Sequence, residues 1–148
     1  MSDSRDVSDD EGAAPPEPEM GDGKFVFPNG AVYEEGHYVM VSGVKKRHGY
    51  GTYTNGSENY IGEWQHDAMH GRGEMIFCSG ASYRGSFKNN KFHGLGRYEW
   101  NDGATYEGGW RDNKMHGRGC YLDGENGRWE GEFFNGMYDN GRAKVALR

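Results

Sequence analysis

The sequence predicts an all-β protein: one elongated, twisted antiparallel sheet of β-hairpin repeats, with an open groove and no central core. Three observations predict it. A five-residue pattern returns at a fixed step of 23 residues. Inside each copy, aromatics and glycines alternate with polar residues, the two-residue period of a strand. Between copies stand short glycine-containing turn signals of the kind hairpins need.

The repeat is read by aligning on Tyr60-Ile-Gly62-Glu-Trp64, which recurs as Tyr83-Arg-Gly85-Ser-Phe87, Tyr106-Glu-Gly108-Gly-Trp110 and Trp129-Glu-Gly131-Glu-Phe133. A second block keeps the same phase: His70-Gly-Arg-Gly73, His93-Gly-Leu-Gly96 and His116-Gly-Arg-Gly119. His48-Gly-Tyr-Gly51 lies 22 residues before the first of these. Equal steps in two blocks mark a repeat architecture, in which each unit packs mainly on its neighbours. In each block the aromatics and glycines fall on one face of a half-buried strand. Pro28-Asn29-Gly30, Asn55-Gly56, Ser79-Gly80, Asn101-Asp102-Gly103 and Asn126-Gly127 supply hairpin turns, and segments such as Lys88–Lys91 form polar loops. Two strands per unit give roughly ten strands, a sheet on the order of 45 Å long.

The elements follow in order. Residues 1–20 form an acidic disordered tail, with Asp9-Asp-Glu11, three prolines and no aromatic ring. Ser8 precedes that acidic run and suits an acid-directed kinase as well as a plain solubilising tail. The array spans 21–141. It opens with a half-repeat at 21–32, and full repeats start near 33, 60, 83, 106 and 129. The first full unit departs from the pattern, because Tyr33-Glu-Glu-Gly36 has one extra residue before its glycine. The added stretch up to His48 alternates around Ser42-Gly43 and reads as a lengthened hairpin, 37–48, projecting from the array. Lys45, Lys46 and Arg47 make its arm basic. That is either a solvated charged edge or a contact for an acidic partner or anionic lipid. Residues 142–148 form a closing cap segment, read as one helical turn.

Composition agrees with this plan. The 148 residues include 26 Gly and 21 aromatic residues but only 12 Val, Ile and Leu. So few aliphatics normally signal disorder; here glycine and large rings take their place. The net charge is −6, yet residues 1–22 alone carry −7 and the remainder +1. A nearly neutral body argues against nucleic-acid binding, which needs a basic surface. No apolar run approaches the ~20 residues of a spanning helix, and the N-terminus lacks the features of a secretory signal, so a soluble protein is expected. Two cysteines, Cys78 and Cys120, form neither a disulfide framework nor a zinc pattern and suit a reducing compartment.

Enzyme chemistry is not expected. Histidines in successive units stand two strands apart, about 9.6 Å, too far to converge on a metal bound at ~2.0 Å. They are expected to order loops by hydrogen bonding. Each Gly-x-Gly belongs to the repeat and lacks the following helix of a dinucleotide site. No Gly-x-Ser-x-Gly elbow occurs. No cofactor or metal is expected. What remains is surface. One side of the sheet carries Tyr60, Trp64, Tyr83, Phe87, Tyr98, Trp100, Tyr106, Trp110, Trp129 and Phe133. These rings either pack on one another and on the glycines or form an apolar groove that binds an extended peptide or an amphipathic helix.

The tyrosine-x-glycine-x-aromatic pattern, the Gly-x-Gly block and the glycine turn at a 23-residue period resemble the MORN repeat (membrane occupation and recognition nexus) over about residues 21–141. The resemblance implies a twisted, groove-bearing array of hairpins. Small repeat-only proteins of this kind are often cytoskeletal and belong to cilia, flagella and sperm. The expectation is therefore a non-enzymatic scaffold in the cytoplasm and cytoskeleton, plausibly in a ciliary or flagellar axoneme, holding a partner protein in its groove. A phosphoinositide-reading adaptor at a membrane surface and a module that self-associates through its open strand edge are the alternatives.

Overall fold

The computed structural model describes residue 12 and residues 14–148; the acidic run and Ser8 lie outside the described residues. Thirteen strands build one antiparallel sheet. They are β1 (Met20–Val26), β2 (Val32–Val41), β3 (Val44–Arg47), β4 (Gly49–Asn55), β5 (Glu58–Gln65), β6 (Ala68–Ile76) and β7 (Ser82–Lys88), then β8 (Lys91–Glu99), β9 (Thr105–Arg111), β10 (Lys114–Leu122), β11 (Arg128–Phe134), β12 (Met137–Asp139) and β13 (Lys144–Val145). Each strand lies beside the next, except that β2 bonds to both β3 and β4. The sheet is open, with no helix among the described residues.

Register explains how so few aliphatics suffice. Gly51 pairs with Gly62, Gly62 with Gly73, Gly73 with Gly85, and the row continues through Gly96, Gly108 and Gly119 to Gly131. One glycine row thus crosses eight strands. Two residues along, Tyr53, Tyr60, Met75, Tyr83, Tyr98, Tyr106, Tyr121 and Trp129 make a parallel row of large side chains. The tyrosine rings lie across the bare glycine backbone. A methyl group at Gly73 would sit 2.6 Å from carbons of the Tyr60 ring, far inside van der Waals contact. Tyr33, Tyr60, Tyr83 and Tyr106 are consequently wholly buried. The hydroxyls of Tyr60, Tyr83 and Tyr106 donate to the carbonyl three residues on, at Glu63 (2.7 Å), Ser86 (2.7 Å) and Gly109 (2.9 Å). The ring at the end of each strand packs edge-on against its tyrosine: Tyr60–Trp64 at 5.0 Å, Tyr83–Phe87 at 5.0 Å and Tyr106–Trp110 at 5.2 Å. Such pairs add about 0.5–1.5 kcal/mol each beyond the area they bury. An aromatic spine on one face replaces a central core.

The hairpins close by two kinds of turn. Those between β5–β6, β7–β8, β9–β10 and β11–β12 are two-residue turns with both φ angles positive: His66–Asp67, Asn89–Asn90, Asp112–Asn113 and Asn135–Gly136. This is the type I′ geometry matched to strand twist. Lys88–Lys91, expected as a polar loop, is therefore a tight hairpin, with Lys88 paired to Lys91. The signal was the Asn-Asn pair, since asparagine tolerates positive φ better than most side chains. The turns also dock on the preceding hairpin. Asn113 donates its N–H to the Phe92 carbonyl (3.1 Å) and accepts the Phe92 N–H on its side chain (2.8 Å), and Asn90 does the same at Met69. Histidines fasten the other turn residue: the His66, Asn89 and Asn135 amides donate to Nδ1 of His48, His70 and His116.

Three expectations are corrected. The sheet holds thirteen strands, since β3 and two short terminal strands add to the repeat pattern. The hairpin at 37–48 is lengthened by β3, but β1 flanks its base, so only its tip around Ser42-Gly43 extends past the neighbouring strand. Along β2, β1 bonds one edge as far as Val39, while β3 and β4 share the other edge end to end. The extra residue, Glu35, is absorbed at φ 50, and the Tyr33 hydroxyl reaches the fourth residue on, His37, instead of the third. Finally, Lys144–Val145 is a strand bonded to β12 rather than a helical turn, because Tyr138 and Asp139 still offer a free edge.

Candidate partner-binding face

The ten rings expected on the groove divide into two sets. Tyr60, Trp64, Tyr83, Phe87, Tyr106, Trp110 and Phe133 are buried. They form the spine, and the indoles of Trp64 and Trp110 donate to the carbonyls of Gly51 (3.2 Å) and Gly96 (3.1 Å). Tyr98, Trp100 and Trp129 are half-buried and pack against the spine. Tyr53, Met75 and Phe77 share that position. Their signal was present in the sequence, since Tyr53 follows Gly51 as Tyr98 follows Gly96.

Burial sets the ionisation of the spine. The phenol of Tyr33 is pushed up from 10.0 to about 12 by desolvation, and desolvation raises Tyr60, Tyr83 and Tyr106 as well. His48 is lowered from 6.5, first by burial and then by the neighbouring His66.

The three basic residues of the added hairpin do not act together. Lys45 is exposed, with its Nζ 4.6 Å from the centre of the Tyr38 ring. Lys46, next on the strand, points to the opposite face. Arg47 turns inward, its side chain only 14% exposed. Its guanidinium lies 4.2 Å from the centre of the Trp64 ring and bonds the Asp67 carboxylate at 2.7 Å. Arg47 occupies the repeat position of Met69, Phe92 and Met115, the residue before each histidine, so a cation is seated where later units place an apolar side chain.

The segment Leu147–Arg148 lies on the same aromatic face. Leu147 packs against the spine. The Arg148 guanidinium stands 4.5 Å from the centre of the Trp100 ring and bonds Asp102 (2.8 Å) and the Tyr121 hydroxyl (3.4 Å). The Ala104 amide and then Arg148 hold the Asp102 carboxyl below the ordinary carboxylate range. On the other face, Arg72, Arg84 and Arg97 surround a trough floored by Gly85, Gly96 and Gly108. Among the described residues no three metal-competent side chains converge.

A family model described as the MORN repeat matches residues 45–58, 60–82, 83–105 and 106–128. These matches cover more than half of the chain, which therefore belongs to the MORN repeat family. MORN repeats are non-catalytic modules that bind proteins or membranes. No curated protein matches the chain.

Proposed function

We propose that this protein is a non-enzymatic scaffold that holds a segment of a partner protein on its aromatic face, within cytoskeletal assemblies and in particular the axoneme of cilia or flagella. The observation that carries the scaffold reading is the half-buried row of Tyr53, Met75, Phe77, Tyr98, Trp100 and Trp129. Each of these side chains packs on the spine and keeps part of its surface exposed, the arrangement of interface anchors. The seating of Leu147–Arg148 on Trp100 supports the same reading, since it puts an extended segment on this face with a leucine, a guanidinium over a ring and a charged hydrogen bond. The cytoskeletal assignment rests on the resemblance to small MORN proteins.

The test is affinity capture from ciliated cells with the wild type and a Trp100→Ala/Trp129→Ala variant. Trp64 and Trp110 are unsuitable probes, because they are buried and their loss would disturb the spine. Identical partner sets for the two proteins refute binding on the aromatic face. A wild-type set without cytoskeletal proteins refutes the cytoskeletal assignment.

A second reading, an adaptor for anionic phosphoinositides, draws support from Arg72, Arg84 and Arg97 around the glycine trough. Arg84 and Arg97 stand directly opposite one another, a like-charge pair that an anion would relieve. Salt-sensitive co-sedimentation with phosphoinositide vesicles, lost on Arg84→Gln/Arg97→Gln but kept in the tryptophan variant, would favour it.

A further inference from the structure

The array is one residue short between β4 and β5, and a cavity lies beside the gap. From Met75 to Tyr83, Tyr98 to Tyr106 and Tyr121 to Trp129 the chain takes eight residues; from Tyr53 to Tyr60 it takes seven. Register locates the loss. Thr54 pairs with Asn59 as Ile76 pairs with Ser82. The next pair in the later unit is Phe77 with Ala81, joined by the Phe77 N–H to the Ala81 carbonyl (2.9 Å). In the earlier unit it is Asn55 with Glu58. The turn is one residue shorter, an exposed Asn55 stands where Phe77 does, and Glu58 stands where the buried Ala81 does.

The Phe77 ring fills a set place. It lies 6.1 Å from Phe92 and 5.9 Å from Tyr98. Phe27 fills the same place one unit earlier, against Tyr53 at 5.8 Å, and Trp100 fills it one unit later, against Tyr121 at 5.6 Å. The residues equivalent to Phe92 and Tyr98 around Asn55 are Met69 and Met75. Between them the structure has a cavity of about 220 Å³, bounded also by Trp64, Glu58 and Asn59. A dry cavity of about 150 Å³ holds a benzene ring, so this one accepts an indole or a phenol. Arg47, whose guanidinium lies over Trp64, also lines it, and a cation favours the ring of tryptophan over that of phenylalanine.

We propose that this cavity is an anchor site for a tryptophan side chain supplied by the partner segment. The proposal rests on the reading of the aromatic face as partner-binding, and it names the feature that the partner must present. The anchor takes the place that Phe27, Phe77 and Trp100 fill from within. Its ring packs on the thioethers of Met69 and Met75, contacts that sulfur makes favourably.

The probes are N-acetyltryptophanamide and N-acetylphenylalaninamide, titrated into the full chain while the methyl resonances of Met69 and Met75 are followed. Saturable shifts of both methyls are expected with the tryptophan compound, and binding about tenfold weaker with the phenylalanine compound, about 1.4 kcal/mol, because its smaller ring is the poorer partner for the Arg47 guanidinium. Asn55→Phe, which restores the ring of the other units, should abolish the shifts and raise the melting temperature. Unmoved methyls in the wild type would overturn the proposal whatever the variant does, as would equal affinity for the two compounds. Partner capture separates the two levels. If Asn55→Phe keeps the partners that Trp100→Ala/Trp129→Ala loses, the face binds the partner and the cavity does not.

Discussion

Replacing Gly73 by Ala tests the central claim, that tyrosine rings use the space of absent side chains. The backbone at Gly73 is ordinary strand that alanine can adopt, so the effect isolates the ring contact. The new methyl would lie 2.6 Å from two carbons of Tyr60, and the ring has no free direction because it is wholly buried. Overpacking of this kind costs about 1–3 kcal/mol. Displacing the ring also breaks its 2.7 Å bond to the Glu63 carbonyl, about 1 kcal/mol. Alanine returns about 0.5–1 kcal/mol in backbone entropy. The net expectation is a loss of about 1–3 kcal/mol, read as a lower urea midpoint at unchanged slope. A double-mutant cycle makes the test specific. In a Tyr60→Leu background the methyl finds room, so Gly73→Ala should be near neutral there, a coupling of about 1–3 kcal/mol. Equal costs in both backgrounds would refute the complementarity of ring and glycine.

Other outcomes follow from the same geometry. Folded-state pKa values of the spine tyrosines lie above the unfolded value, so their contribution to stability is complete below pH 10 and drains away as the pH climbs through about 12 for Tyr33. Ionisation of the four spine tyrosines should therefore accompany the loss of sheet circular dichroism; those four phenols ionising near pH 10 in a folded sheet would contradict this. His48 is depressed, so its contribution is present above 6.5 and is lost as the pH falls through its folded value. A proton NMR titration should place His48 below the exposed histidine range. Asn113→Ala leaves the Phe92 amide unpaired and forces alanine to φ 69, costing about 2–3 kcal/mol. Asn113→Gly keeps the φ and should cost about 1 kcal/mol in the same urea assay. Arg47→Met alone strands Asp67 and destabilises by about 1–3 kcal/mol, whereas Arg47→Met with Asp67→Asn restores the apolar residue of later units and recovers wild-type stability to within about 1 kcal/mol.

Much of the site was legible before any coordinates. The glycine row and the tyrosine row are in the sequence as phases of one repeat, and alternation places both on one face. The loop-fastening role was readable for His48, His70 and His116, each of which precedes a glycine pair, but not for His93, whose Nδ1 is buried without a hydrogen-bond partner. Two features were not legible. Whether a given ring is spine or surface depends on the side chains that register sets around it: Tyr60 and Tyr98 occupy the same row, but Tyr60 is wholly buried and Tyr98 half-buried. Arg47 looked like part of a basic cluster, and only pairing places it over Trp64 and beside Asp67, twenty residues away.

The sequence by itself determined the hairpin array, its period, its turns and its substitution of rings and glycines for an aliphatic core, because those depend on local alternation and on φ preferences that each residue carries alone. Tertiary structure decided which rings remain for a partner, where Leu147–Arg148 lies and that the missing residue between Tyr53 and Tyr60 opens a cavity. Those depend on cross-strand register, and a one-residue change in spacing acquires a volume only when the neighbouring strands that should fill it are in place.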